Sequence, residues 1–455
     1  MSQFIMNYRR KLTFIQEIIS TLKSTFLNKP TLSISGILVL ILFFQPIHTQ
    51  AARLSDPGNK SSSDSTRVKK EKKKKDEDED KPHFKIGGAL RYNLFVQDYK
   101  GNITQNDYQM TFDTWRINVT GSYDDIDLVF EYRFYPTFNT HFIKKGYLGY
   151  HFSKASSIQL GVTQVPFGNL TYASHSWWFQ IPYYVGLEDD WDMGLKYIYK
   201  KKNWDVMLAY FVQPEPSGPA YGAASFGVGG PGRYSYDIIP VTGSKPWDYV
   251  LGQNGIPQSN EERHTINARI AYTFDHGDLG NTTIGASGMV GGLYNMKLHK
   301  SGTRTAFSLH LNGNYGRFNL KTEYVYYNYD GYNDLGQKTP FVYMGAYGDP
   351  YPVASEANTY VAGLSYGLPV DFGPISKLTF YNDYGYVDKT NKQYYDTQFN
   401  VLGFMITAGD VYTYFDIASG KNQPWLTRSF GKGLGPGQKD APWNTRFNIN
   451  IGFYF

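Results

Sequence analysis

The sequence has no cysteine and only one long apolar run, and its mean hydropathy is −0.45. Without cysteine there are no disulfides, zinc–thiolate sites or thiol nucleophiles, a composition that suits a chain crossing an oxidising periplasm. The low hydropathy excludes a bundle of membrane-spanning helices, each of which needs about 20 consecutive apolar residues. Charge of one sign is scarce as well. The formal net charge is +5, and about +4 of it precedes residue 52, on Arg9, Arg10, Lys11, Lys23 and Lys29 against Glu17. The remainder gives nucleic-acid binding no support. There is no phosphate-cradling glycine loop and no nucleophile elbow, and the histidines (His151, His175, His264, His276, His299, His310) are scattered without a motif. An enzyme is therefore not expected, nor is a cofactor or a metal centre.

What the sequence does have is aromatic residues, 40 tyrosines and 30 phenylalanines among them. Their arrangement is clearest in the last ten residues, RFNINIGFYF. Phe447, Ile449, Ile451, Phe453 and Phe455 fall on one side of an extended strand; Arg446, Asn448, Asn450, Gly452 and Tyr454 fall on the other. An apolar-out, polar-in strand at the C-terminus is what closes a transmembrane barrel against its first strand, leaving no backbone edge unpaired in hydrocarbon. The same ending resembles the C-terminal signal by which outer-membrane barrels are recognised for insertion.

In chain order, the one apolar run, Pro30 to Ala52, is too short for a comfortable helical span and follows basic residues, so residues 1–51 are expected to be a cleaved signal peptide, with retention as an anchor the alternative. Residues 52–82 hold a basic block (Lys69 to Lys75) and an acidic block (Asp76 to Asp80) with almost nothing apolar, and are expected to be a disordered periplasmic segment. From residue 83 to 455 the chain is a series of about sixteen alternating segments, although 282–293 and 397–407 alternate poorly. Connections on one side are short (such as 121–125, 201–203 and 408–410). Those on the other include 166–191, 212–263, 330–358 and 419–445. Short periplasmic turns opposite long outer loops are the asymmetry of an outer-membrane barrel, and an even strand count returns both ends to the periplasm. The fold expected is all-β, a transmembrane antiparallel barrel.

At Gln159 to Gly168 (QLGVTQVPFG), a strand running into Pro-Phe-Gly and then a long loop, the chain resembles the phosphate-selective porins of the O and P type. The resemblance implies a homotrimer of sixteen-stranded barrels whose third outer loop, here Pro166 to Trp191, folds into the pore. It also implies an arginine ladder and loop lysines that bind phosphate, yet this loop contains neither lysine nor arginine. The fold and channel activity are carried over, and the phosphate site is not.

Strand parity places a basic wall in the lumen: Lys85, Arg91, Arg116, Arg133, Lys145, Lys196, Arg269, Lys321, Lys377 and Arg446. Asp127, Glu131, Asp205, Glu323 and Asp383 oppose it. The constriction loop supplies Trp177, Trp178, Tyr183 and Tyr184, together with the acids Glu188, Asp189, Asp190 and Asp192. The aromatics either stack sugars or pack the loop on the wall. The acids oppose the wall's bias, pair with its arginines or bind calcium, although their spacing matches no defined calcium loop. The expected function is a porin in the outer membrane of a Gram-negative bacterium, passing small hydrophilic solutes or anions. A structural or adhesive barrel with a closed lumen is the alternative, and a barrel hydrolase a more distant one.

Overall fold

The computed structural model describes residues 82–99, 108–219, 232–241, 257–427 and 432–455. The expected signal peptide and nearly all of the charged segment lie outside them, as does much of the 212–263 loop.

Nineteen strands are present among the described residues, and sixteen of them form one closed barrel. In order these are β1 (His83–Gln97), β2 (Tyr108–Tyr123), β3 (Ile126–Tyr135), β4 (Thr140–Ser153), β5 (Ser156–Gln164), β6 (Trp191–Lys201), β7 (Trp204–Pro214) and β9 (Asn260–Asp275). The barrel continues with β10 (Asn281–Asn295), β11 (Lys300–Tyr315), β12 (Phe318–Asp330), β15 (Glu356–Phe372), β16 (Ile375–Lys389), β17 (Thr397–Ala408), β18 (Val411–Lys421) and β19 (Asn444–Tyr454). Each pairs antiparallel with the next, and β19 closes on β1 with Tyr92 opposite Ile451 and Leu94 opposite Ile449. The end of the chain is tied in as well. Phe455 O accepts from Gly88 N at 2.7 Å, and Phe455 N donates to Gly88 O at 3.1 Å.

Alternation along each strand sorts side chains between the two faces. Outward positions are apolar and exposed: Ile86 is 78% exposed, Leu160 60%, Val290 61% and Leu364 49%. Rings gather towards the strand ends near the short turns, where Trp204, Tyr272 and Phe274 meet edge to face in series and Phe318 meets Tyr366. An apolar band with aromatic girdles is the outer surface of a transmembrane barrel.

Connections sort as the sequence indicates. Residues 124–125, 154–155, 202–203, 316–317 and 409–410 are tight turns at one end, the turn end. At the other, the loop end, run L3 (165–190), L4 (215–259), L6 (331–355) and L8 (422–443). L3 carries a single helical turn, α1 (Ile181–Tyr184). β8 (Asp237–Ile238) of L4 joins the hairpin β13 (Phe341–Ala346) and β14 (Asp349–Ala354) of L6 in a small separate sheet.

These loops fill much of the lumen, which explains the two strands that alternate poorly. Met289 and Leu293 of β10, and Phe399 and Val401 of β17, point inward yet are buried in one core with L3, L4 and L6 side chains such as Tyr183, Tyr236 and Tyr351. Where a loop packs on the inner wall, both faces of a strand meet apolar surroundings and the pattern blurs.

Leu364 sits midway along β15 on the outward face. Leu364→Arg is expected to destabilise the refolded barrel by about 2–4 kcal/mol, read from urea unfolding in lipid vesicles. A loss under about 0.5 kcal/mol, the range of an ordinary surface substitution, would mean that this face does not meet lipid.

Candidate functional site

The inner wall divides into a half that holds L3 and a half that L3 leaves bare. On the first, Arg269 Nε donates to Gly168 O at 2.9 Å and Lys196 Nζ to Gln164 O at 2.8 Å. Lys321 Nζ donates to both Tyr172 O and Ser174 O at 2.9 Å. The acids take the loop's N–H groups: Glu323 accepts from Asn169 N at 2.9 Å, and Asp383 from His175 N at 2.8 Å and Ser176 N at 2.9 Å. Backbone carried into a lumen needs such partners, and charged ones make the stronger bonds. Gly168, the glycine of Pro-Phe-Gly, has φ +60°, and a Cβ there would lie 2.0 Å from Glu323 Oε1, so only glycine lets the loop lie this close to the wall.

The anchored basic residues are therefore loop tethers. Lys85 and Lys377 stand exposed near the turn end, and Lys145 pairs with Glu131 at 3.3 Å. Of the rest, Arg116 stands 3.9 Å from Glu131, and Arg91, Arg133 and Arg446 line a cavity of about 180 Å³ between β1, β2, β3 and β19 on one side and the loops on the other. Its opposite side is aromatic: Trp177, Trp178, Phe179, Tyr183 and Tyr184 of L3, Tyr234 and Tyr236 of L4, Tyr347 of L6 and Trp425 of L8.

The three arginines differ in their partners. Arg133 shares Glu131 at 2.6 Å and lies over the Tyr234 ring, and Arg91 meets Asp113 at 3.1 Å. Arg446 has no ion pair among the described residues. Its guanidinium lies 3.7 Å from the Phe95 ring centroid and 5.1 Å from that of Trp178. Glu131 is in turn surrounded by three cations, Arg133, Lys145 and, at 3.9 Å, Arg116. The bare half of the wall is net positive.

The acidic end of L3 is elsewhere. Glu188, Asp189, Asp190 and Asp192 are 5%, 2%, 3% and 2% exposed, and none lines the cavity. Of the roles the sequence leaves open for them, opposing the wall's charge would need them to face the cavity, and they do not. Asp189 accepts from Lys144 Nζ at 2.9 Å, Trp191 Nε1 at 2.9 Å, Gln164 Nε2 at 3.1 Å and Tyr234 OH at 2.5 Å. Burial, with Glu323 close by, holds the Glu188 carboxyl well above the ordinary carboxylate range.

Lys144 escaped the sequence reading because it occupies a bulge. Glu131 pairs with Lys145 and Tyr132 with Ile143, so Lys144 is an extra residue that also turns inward. The lining tyrosines of L4 and L6 carry no signal in the sequence that separates them from other loop tyrosines.

A hydrolytic site would need a histidine free to serve a nucleophile. His175 is half-buried and held by a carboxylate, Asp383 at 2.7 Å, but its other nitrogen is bound by Asn319 Oδ1 at 2.6 Å.

No protein-family model matches the chain, and no curated protein matches it. Among solved structures, the outer membrane channel DcaP of Acinetobacter baumannii is 12% identical, over 82% of this chain and 97% of that one, with a TM-score of 0.52. The chain has the fold of an outer-membrane porin. Also similar are the anion-selective porin from Comamonas acidovorans (12% identity, 82% and 100% of the two chains, TM-score 0.49) and OmpT of Vibrio cholerae (14%, 82% and 98%, 0.48). These likenesses reach the porin barrel, and the phosphate-selective type is left to the resemblance at Gln159 to Gly168.

Lys144→Met would leave Asp189 buried without its cation, which costs about 3–5 kcal/mol for a buried pair. The expected result is a lower unfolding midpoint, partly restored in Lys144→Met/Asp189→Asn. A single substitution that leaves the midpoint in place would show that the pair does not hold L3.

Proposed function

We propose that the protein is a porin of the Gram-negative outer membrane that passes small hydrophilic solutes with a preference for anions. The observation that carries this reading is Arg446, a guanidinium in the cavity wall with no ion-pair partner among the described residues, opposite a shelf of rings. A fixed unpaired charge in a low-dielectric cleft focuses its field on whatever enters. Arg91 and Arg133 extend the positive wall, and the L3 acids are turned away from it. The aromatic shelf gives an anion with a flat apolar face a surface to lie on while its charge meets the arginines. Export through the expected signal peptide and assembly as a homotrimer complete the proposal.

A second reading, a structural barrel with a closed lumen, has its own support in the core that L3, L4 and L6 build inside the wall. Conductance separates the two. In a planar bilayer under a salt gradient, the refolded protein is expected to give discrete steps and an anion-sided reversal potential. Arg446→Glu should move that potential several-fold towards cation passage with the steps retained. A silent membrane containing verified inserted protein would establish the closed barrel, and steps with an unmoved reversal potential would remove Arg446 from the selectivity.

A further inference from the structure

L3 returns to the wall through Asp190, Trp191 and Asp192, and L4 leaves it at Glu215 and comes back past Arg233 to Asp237. These segments meet at the loop end, outside the cavity. Carboxylate oxygens of Asp190, Asp192 and Asp237 lie within 4.8 Å of one another, and the three residues are 3%, 2% and 1% exposed. A trio of acids alone would say little. Glu215 supplies the independent observation: it is fully buried, and while Oε1 accepts from Tyr234 N at 3.2 Å and Ser235 N at 2.9 Å, Oε2 has no partner among the described residues. Glu215 Oε2, Asp237 Oδ1 and Asp192 Oδ1 are all buried without a donor.

The surroundings do not supply the missing positive charge. Arg233 reaches Asp237 at 3.3 Å, and Arg304 reaches Asp190 at 3.6 Å while also pairing with Glu262. Asp190, Asp192, Glu215, Asp237 and Glu262 therefore outnumber Arg233 and Arg304, and Lys144 is already engaged by Asp189. Tyr329 lies beside Arg304, its ring centroid 6.0 Å from the guanidinium carbon, and adds no positive charge. Buried like charges cannot all remain ionised and unpaired. Either protons or a cation must occupy the gap.

We propose that Asp190, Asp192, Glu215 and Asp237 form a divalent-cation site, of calcium type, that fastens L3 to L4. The ligands are all carboxylate oxygens, which suits a hard cation and disfavours zinc or copper. Calcium takes oxygens at about 2.3–2.6 Å in irregular geometry, so ligands on opposite sides of it are about 5 Å apart, close to the spread seen here. Two of the ligands come from each loop. The ion orders the Arg233–Asp237 segment, and with it Tyr234 and Tyr236 of the cavity's aromatic shelf. The site is independent of whether the barrel conducts.

Protons are the competing occupant, and pH separates the two. Burial first, then the neighbouring Asp237, raises Asp190 to about 7; burial likewise raises Glu215 and Asp237. Carboxyls with raised native pKa values contribute stability that is lost as pH rises from their unfolded values, near 4, through the native ones. Calcium must displace those protons, so its affinity rises over the same interval.

The test uses refolded full-length barrel freed of metal with EGTA. Terbium, which replaces calcium and emits when excited through nearby tryptophan such as Trp191, is the probe. Expected are tryptophan-sensitised emission displaced by calcium, affinity that rises with pH, and a calcium-dependent rise in the unfolding midpoint. Asp192→Asn/Asp237→Asn should weaken terbium binding at least about tenfold, as loss of metal-site groups does, and abolish the calcium effect on the midpoint. Because that variant relieves repulsion, it is expected to fold in EGTA at least as well as the parent, which the heat-dependent gel shift of folded barrels checks. If the variant fails to fold, Asp190→Asn read by the same emission takes its place. No calcium-displaceable emission from the parent, or emission that survives the substitutions, overturns the site and leaves the cluster protonated.

Discussion

Hydrocarbon offers no partner for a backbone N–H or C=O, and this structure follows from that constraint. Every barrel strand must have two neighbours, so β19 has to meet β1, and Phe455 is bonded to Gly88 at the seam. Sixteen strands enclose an interior too wide for wall side chains alone to fill. The chain fills it with loops, and the loops bring their own polar backbone indoors. The inner wall must then do for L3 what a neighbouring strand does elsewhere. Arg269, Lys196 and Lys321 take its carbonyls, and Glu323 and Asp383 take its N–H groups.

This use of the wall sets its electrostatics. A lysine whose ammonium is shared between two loop carbonyls has part of its field offset by those dipoles, whereas Arg446, set against the Phe95 and Trp178 rings, has no ion pair among the described residues to cancel its own. Strand parity gives Lys321 and Arg446 the same standing, since both face inward, and only their partners separate them. The cavity therefore lies along β1, β2, β3 and β19, where the wall has no L3 backbone to hold.

Much of this architecture is legible in the sequence because it rests on local, periodic features. The sixteen segments, the short turns and the long loops all follow from alternation and its interruptions. β10 and β17 resist because their inward Met289, Leu293, Phe399 and Val401 face loop side chains that are far away in sequence. Lys144 resists because one bulged residue shifts the parity of everything before it on β4. The site is less legible than the fold for the same reason. Trp177, Trp178, Tyr183 and Tyr184 belong to the loop that the sequence singles out, but the rings that complete the shelf come from L4, L6 and L8.

The run Glu188 to Asp192 shows most clearly how adjacency in sequence misleads. As a string it reads as one acidic patch with one field. In the fold its members part company: Glu188 accepts from the Ala173 N–H, Asp189 closes on Lys144, and Asp190 and Asp192 turn to the L4 acids. A loop that must be pinned at its end uses each carboxylate on a different partner, because a buried charge is tolerated only where it is matched. Tyr234 links the two outcomes. Its hydroxyl donates to Asp189, its backbone N–H to Glu215, and its ring sits over Arg133 in the cavity. The acids that do not line the cavity thus fix the position of a ring that does, and they act on the cavity through geometry rather than charge.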